Sequence, residues 1–542
     1  RGKTTCPDCK GSRLRKDASY VKISDKSIID LVLISIDDLT IYFDNLKLSG
    51  ESEKISSRVL KEIQTRLHYL QDVGLGYLTL NRLTSTLSGG EFQRIKLATS
   101  LGSALVGSIY VLDEPSIGLH PRDTQRLIKV LKTLKKLGNT VIVVEHEEEV
   151  MTQADQIIDI GLGAGALGGE LVFQGNISEI DPKINSHTVS YLTGRDKIEI
   201  PTTRRQARSW IEIFGARENN LKGVHVKIPL KTITVVTGVS GSGKSTLIQQ
   251  ILYPALGRKM GIISENPGKY DRLDGDLNQI DLIEFVDQNP IGKSSRSNPV
   301  TYIKAYDPIR MLFSEQSISK QRGYKPAHFS FNVEGGRCEE CLGEGHVKIE
   351  MQFMADIHLL CDSCKGARFK REVLDVEYNG LSISQVLNLT VDEAMGFFEG
   401  IDPIIHKLKP LQDVGMGYIK LGQSSNSLSG GEAQRVKLAS FLSRSNSKRD
   451  EHILFIFDEP TTGLHFHDIS KLLNSISELV NLGHSVIIIE HNMEVIKTAD
   501  WIIDLGPDGG VNGGEVCFSG IPEDLVKLKD SNHTARFLAE KM

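Results

Sequence analysis

The chain has 542 residues, 39% hydrophobic and 25% charged, the make-up of an ordinary globular protein with room for three or four domains, or two large ones carrying insertions, at roughly 150 residues each. No run reaches the ~18 apolar residues of a membrane span and RGKTTCPDCK at the start lacks a signal-peptide core, so membrane and secreted readings are set aside and a cytoplasmic one is expected. With 64 Lys+Arg against 69 Asp+Glu, net charge -5, a nucleic-acid site must be a local patch, and seven cysteines, six of them in CxxC pairs, point to metal ligation and not to a disulfide scaffold.

The first element is CPDCKGSRLRK, in which Cys6 and Cys9 form half of a metal-ligand set whose partner pair is expected upstream of Arg1. QDVGLGYLTLNRLTSTLSGGEFQRIKLA, Gln71 to Ala98, follows, with Ser88, Gly89 and Gly90 at the start of a short helical stretch. Ile109 to Leu112 is an apolar run ending at Asp113 and Glu114, and Val141 to Val144 is another that leads to His146. Both are expected to be buried parallel strands with functional residues at their C-terminal ends. The polar stretch from Asp196 to Ser209, with Arg204, Arg205 and Arg208, is expected to be a linker.

Beyond it, the β-branched run Thr232 to Thr237 is followed by GVSGSGKS, Gly238 to Ser245, and by a helical stretch from Lys244 into Leu252. G-x-x-x-x-G-K-[ST] between strand and helix is the phosphate-loop pattern. Gly238, Ser240, Gly241 and Gly243 let backbone N–H groups close around phosphate oxygens at the positive end of a helix. Lys244 reaches the β and γ phosphates, and Ser245, with Thr246 beside it, sits at Mg²⁺. From Pro290 to Lys325 there are seven basic residues, among them Lys293, Arg296, Arg322 and Lys325, against two acidic ones, a local excess of +5 suited to phosphates. Cys338, Cys341, Cys361 and Cys364 give C-x2-C-x19-C-x2-C, the spacing of a four-thiolate structural Zn²⁺ site. Arg368 and Arg371 follow at once, and a zinc-braced turn is expected to present them to a phosphate backbone.

QDVGMGYIKLGQSSNSLSGGEAQRVKLA, Gln412 to Ala439, then repeats the earlier stretch and carries Ser429, Gly430 and Gly431. LFIFDEPTTGLH repeats SIYVLDEPSIGLH, and VIIIEH, ending at His491, repeats VIVVEH. The feature order is the same in both halves, which marks a tandem duplication of one large domain. Residues 1–200 and 201–542 are the two units expected, the second with a zinc-containing insertion at about 290–425. An aspartate at such a strand end, Asp458 or Asp113, can hold Mg²⁺, and the adjacent Glu459 or Glu114 can orient or deprotonate water. Cys517, alone in a strand-like run, is expected to be a small core residue.

LSGGE before each DEP strand, together with His146 and His491, resembles the ATP-binding-cassette ATPases over both halves. The resemblance implies an α/β chain of tandem cassettes with the P-loop NTPase fold, helical signature insertions and a four-cysteine zinc module. In that family the signature loop of one cassette closes the phosphate site of the other. Lys244, Ser245, Gln288, Asp458, Glu459 and His491 would then be closed by Ser88, Gly89 and Gly90, and Asp113, Glu114 and His146 by Ser429, Gly430 and Gly431, with no phosphate loop of their own.

VDQNPIGKSSRSNPVTYIKAYDPIR, RGYKPAHFSFNVEGGRCEECLGEGHVKIEM and IEHNMEVIKTADWIIDLGPDGG narrow this further, because with the rest of the chain they resemble the UvrA family of bacterial nucleotide excision repair. That resemblance implies an ATPase, itself no nuclease, which recognises damaged double-stranded DNA as a homodimer and hands lesions to the UvrB subunit. The UvrB-docking domain is expected upstream. Rival readings are a paralogue that confers tolerance to drugs or DNA adducts without excision, a truncated product without repair activity, and, weakest, a transporter's motor subunit, which has no use for the cysteine module.

Overall fold

The computed structural model describes residues 6–48, 50–84, 87, 89–102, 106–163, 165, 168–262, 265–292, 296–349, 351, 357–445 and 451–542. Its organising element is the strand Ile233–Gly238, buried at every position. A run with apolar or β-branched side chains on both faces suits a strand covered on both sides, and this one lies inside a six-stranded sheet. The order is Leu282–Val286, Ile453–Asp458, Ser485–Ile489, Ile233–Gly238, Trp501–Gly506, Glu515–Gly520. All neighbours are parallel except the last pair. One face is covered by the helix Phe466–Asn481, whose buried Phe466, Ile469, Leu472, Leu473 and Ile476 recur at helical spacing. On the other face, Leu247, Ile248 and Ile251 pack with an antiparallel sheet of Arg272–Gly275, Trp210–Ala216 and Val224–Pro229.

The first half repeats this in outline. Ile109–Asp113 pairs in parallel with Thr140–Val144, and Ile157–Gly161 pairs antiparallel with Glu170–Gly175. These are twins of the strands flanking Ile233–Gly238, but among the described residues no strand lies between them. The expectation of buried strands therefore holds for the second half and fails for the first. Ile109 (69% exposed), Val111 (67%) and Ile160 (67%) face solvent, because among the described residues nothing covers that side.

Each half has a helical arm that ends in its signature helix, Gly89–Gly102 or Gly430–Ser445. In the second half the arm's core includes Phe313, Phe329 and Phe331, contributed by the segment before the cysteine module. The expected linker is held firmly: Arg204 pairs with Glu523 at 2.7 Å, and Arg205 with Asp500 at 3.2 Å. The stretch after the phosphate loop starts as a π-helix, Thr246–Leu252, and becomes α-helical at Tyr253–Lys259. Pro254, which has no N–H for the ladder, falls at that change of pitch. Among the described residues no helix is long and apolar enough to cross a membrane.

Candidate nucleotide site between the two halves

The phosphate loop turns on three glycines with φ of +130° (Gly238), +75° (Gly241) and +108° (Gly243), values that L side chains avoid. A Cβ on Gly238 would sit 1.9 Å from the Leu505 carbonyl oxygen, so the loop leaves no room for a side chain there. Lys244 is buried and curls back to donate to the carbonyls of Gly238 (3.0 Å) and Val239 (2.9 Å). Burial lowers its pKa to about 8. The hydroxyls of Ser240 and Ser242 are buried without a hydrogen-bond partner among the described residues. A cradle of positive-φ glycines with orphaned hydroxyls and a buried cation is chemically suited to phosphate oxygens. Ser245 is exposed at the mouth, and Thr246 is buried, accepting from Asn219 at 3.2 Å.

Opposite the loop, Asp458 ends its strand and accepts from Gln249 at 2.7 Å. Burial, with Glu490 and Asp287 near, raises it to about 6. Glu459 follows in the left-handed region at φ +45°, and its twin Glu114 stands at +44°. Such a conformation costs a β-carbon-bearing residue of order 1 kcal/mol and persists where the surroundings enforce it. Here the enforcing contact is a backbone hydrogen bond from each glutamate N–H, to Ile489 O or Val144 O, both 2.9 Å. Glu459 is also raised, by burial first and then by Asp458 and Glu490. His491 Nε2 lies 3.8 Å from Glu459, and His146 Nε2 lies 3.5 Å from Glu114. Gln288 donates to the Glu459 carbonyl (3.3 Å) and to Thr462 (3.2 Å).

The two halves meet crosswise around this centre. A Cβ on Gly118 would meet the Glu459 carboxylate at 3.1 Å, and one on Gly463 would meet the Glu114 carboxylate at 3.1 Å. Asp123 accepts from the Ser240 N–H at 3.4 Å, and Arg122 pairs with Asp508 at 2.6 Å. Gly89 and Gly90 open the first signature helix, with Gly90 against the Ile117 carbonyl, while Ser88 lies outside the described residues. Ser429 accepts from the Glu432 N–H at 3.2 Å, and Gly430 and Gly431 pack on Gln288 and Thr462 of their own half. Asp113 is exposed, and its carbonyl accepts from Gln93. Sequence reasoning missed Tyr77, Asp123, His120 and His465, all of which touch the opposite half. All four were marked by position, since Tyr77 has its twin in Tyr418, Asp123 in Asp468, and both GLH histidines recur in register.

Cys338, Cys341, Cys361 and Cys364 bring their sulfurs within 4.8 Å of one another. Cys338–Cys361 are 3.8 Å apart and Cys341–Cys364 3.6 Å. Four thiolates at Zn–S of about 2.3 Å in a tetrahedron have edges of about 3.8 Å, so the set is compatible with Zn²⁺. The Gly345 N–H points at Cys341 Sγ at 3.2 Å, as an outer-shell donor to a thiolate does. Cys6 is exposed and Cys9 partly so, and among the described residues no other group completes a metal set with them.

The basic residues divide. Lys325 and Arg371 are exposed, and Arg296 is half-buried, 3.4 Å from the Leu342 carbonyl. Arg322 is held by Asp375 at 2.9 Å, and Lys293 lies outside the described residues. Arg368 departs from expectation: its guanidinium lies over the Phe331 ring, 5.5 Å from the centroid, and burial lowers its pKa. Its side chain thus packs inward on Phe331 instead of pointing outward, whereas its twin Arg13, at a similar φ (+61° against +69°), is exposed.

No protein-family model matches the chain. The chain is 52% identical over 537 residues to the UvrABC system protein A of Streptomyces avermitilis, covering 99% of itself and 53% of that protein. It is 51% identical over 534 residues to the protein of the same name from Clostridium perfringens, covering 98% of itself and 56% of the relative. The chain thus spans about half the length of the curated relatives it matches. Among solved structures it superimposes on UvrA2 from Deinococcus radiodurans with a TM-score of 0.89 at 41% identity, covering 99% of itself and 66% of that chain.

Proposed function

We propose, from the premise that this chain is homologous over 99% of its length to proteins named UvrABC system protein A, that it is an ATP-hydrolysing unit of DNA-damage recognition in nucleotide excision repair. The observation that carries the reading is the crosswise closure of one complete phosphate loop: Gly118 and Asp123 of the first half against Glu459 and Ser240 of the second. A nucleotide in the Gly238–Thr246 loop would lie at that seam and favour the closed arrangement.

In this reading Lys244 leaves the Gly238 and Val239 carbonyls for phosphate oxygens, an exchange its burial favours because an anion restores its full charge. Ser245 and Asp458 are the residues that would hold Mg²⁺, which when bound neutralises phosphate charge. Glu459 is placed to take the proton of the attacking water; burial holds its pKa up at about 8 in the ligand-free chain, and the Lys244 ammonium and a bound Mg²⁺ would favour the carboxylate form that accepts it. His491 stands beside that carboxylate, and Gln288 ties the Glu459 backbone carbonyl to Thr462. At the second site the Glu114 carboxylate, with His146 at 3.5 Å, faces Gly463 in the other direction, and Asp113 precedes it at the strand end.

Duplex DNA would bind through backbone contacts, with Arg296, Lys325 and Arg371 beside a zinc-braced module. Lesions that alter stiffness and shape suit such contacts. Handover to UvrB and assembly as a homodimer belong to the same proposal. The test is ATP turnover with and without duplex DNA carrying a bulky adduct, in wild type, Lys244→Ala and Ser88→Ala. The reading stands if both substitutions abolish turnover and the adduct changes the wild-type rate; turnover that survives Ser88→Ala, or that ignores DNA, overturns it.

A further inference from the structure

His120 and His465 each end the loop after a DEP turn, and each is seated in the opposite half of the chain. His120 Nδ1 accepts from the Arg122 N–H at 3.2 Å, so that nitrogen carries no proton. Its Nε2 lies 3.2 Å from Thr534 Oγ1, and the Thr534 hydroxyl donates to Asp504 at 2.7 Å. With the hydroxyl proton committed to a carboxylate, Oγ1 can only accept, and Nε2 must be the donor. The first half repeats the chain of bonds: His467 N–H to His465 Nδ1 at 3.3 Å, His465 Nε2 to Thr188 at 3.2 Å, Thr188 to Asp159 at 2.9 Å. Asp504 and Asp159 are braced in turn by Asn532 (2.6 Å) and Ser186 (2.5 Å).

Both nitrogens of each ring are therefore used, and the ring is fixed in one tautomer and one orientation. Its edge meets a second imidazole: His120 and His491 stand 6.3 Å apart at 84°, His465 and His146 6.4 Å apart at 85°. Edge-to-face geometry of this kind discriminates between ring orientations. Nδ1 of His491 has no hydrogen-bond partner among the described residues, and besides the Gly238 backbone the His120 ring is the group that meets it.

We infer that His120 and His465 are positioning residues acting in trans, each fixed as the Nε2–H donor by a threonine–aspartate pair of the opposite half and each orienting that half's histidine, His491 or His146, against Glu459 or Glu114. This deepens the proposed function and rests on it for its role in turnover. It also supplies a contact by which each half senses whether the other is docked, since separation of the halves breaks His120–Thr534 and His465–Thr188 together. The GLH sequence thus contributes a ring to the opposite site that the signature loop does not.

The test uses the full chain labelled with ¹⁵N-histidine, its ring signals assigned by single replacements among the 15 histidines. His120 and His465 are expected as neutral Nε2–H tautomers. Thr534→Val should shift His120 and His491 together and leave His146 in place, while Thr188→Val should shift His465 and His146 and leave His491. In turnover assays Thr534→Val should lower kcat about tenfold with KM for ATP unchanged, and Thr534→Ser should restore it. A His491 signal indifferent to Thr534→Val overturns the inference, as does a loss that appears only in KM. If the wild-type chain hydrolyses no ATP, the proposed function falls, whereas the ring spectra still decide whether the relay exists. His120→Gln, which keeps a donor toward Thr534 without the ring, should leave Thr534 bonded and still shift His491; an unshifted His491 again counts against the ring.

Discussion

Tyr77 of the first half lies with its ring on Gly241 at the turn of the second half's phosphate loop, ring carbons 2.9 Å from where a Cβ would stand. Its hydroxyl bonds Glu91 of the first signature helix, and burial, then the Glu91 charge, raises its pKa. One side chain thus ties a signature helix to the phosphate loop across the seam. Tyr77→Phe removes a hydrogen bond to a carboxylate, expected to cost about 1.5–3 kcal/mol, and Gly241→Ala should disturb the same contact from the other side. Thermal unfolding with and without Mg-ATP checks both, the expected sign being a smaller nucleotide-induced rise in Tm for each variant.

The Glu459 carboxyl is a second point of leverage. Burial and the neighbouring Asp458 and Glu490 push it up to about 8 from its ordinary 4.5. The folded state therefore binds this proton more tightly than the unfolded one, and the contribution is complete below pH about 4.5 and lost as pH rises through about 8. Glu459→Gln fixes the uncharged form, so the ligand-free variant should be more stable than wild type at pH 8, with a flatter pH dependence, and should be inactive. Denaturant unfolding from pH 5 to 9 measures it; equal slopes for variant and wild type would count against the buried-carboxyl account.

Lys244 carries the opposite sign for ligand affinity. Its pKa, lowered by burial to about 8, lets the lysine lose its proton just above neutrality. Mg-ATP binding should weaken as pH rises through about 8, because the anion needs the ammonium form. Calorimetric titration across pH 6.5–9.5 reads this directly, and Lys244→Arg, which stays charged, should remove that dependence.

The cysteine module makes a stoichiometric prediction. The wild-type chain should bind about one zinc ion, Cys361→Ser should lose it, and Cys6→Ser should not. Chelation should leave the hairpin of His346–Ile349 and Ile357–Leu360 open to protease, because the cysteines close its base. Metal analysis with limited proteolysis provides the check.

The basic residues separate by geometry. Lys325→Ala and Arg371→Ala, which remove exposed charges, should each lower duplex affinity and reduce the salt slope by about 0.9. Arg368→Ala should instead lower stability by about 1 kcal/mol through the lost contact over Phe331, with little change in salt slope. Titrations at several salt concentrations distinguish the two outcomes.

What the sequence determined by itself is local. The phosphate loop was legible because only glycines accept the φ of Gly238, Gly241 and Gly243, the buried strands because β-branched runs fit covered sheets, and the cysteine cluster because paired thiolates at short spacing converge. Tertiary structure decided which half serves which site. Twin motifs carry the same residues, and no local pattern says that His120 bonds Thr534, 414 positions away, while His465 bonds Thr188. It also decided that Ile109 and Val111 face solvent where their twins are buried, and that Arg368 turns inward. Periodicity records which side chains favour a strand or a helix, but the surface that covers them, and the half of the chain that supplies it, depend on contacts between residues far apart in sequence.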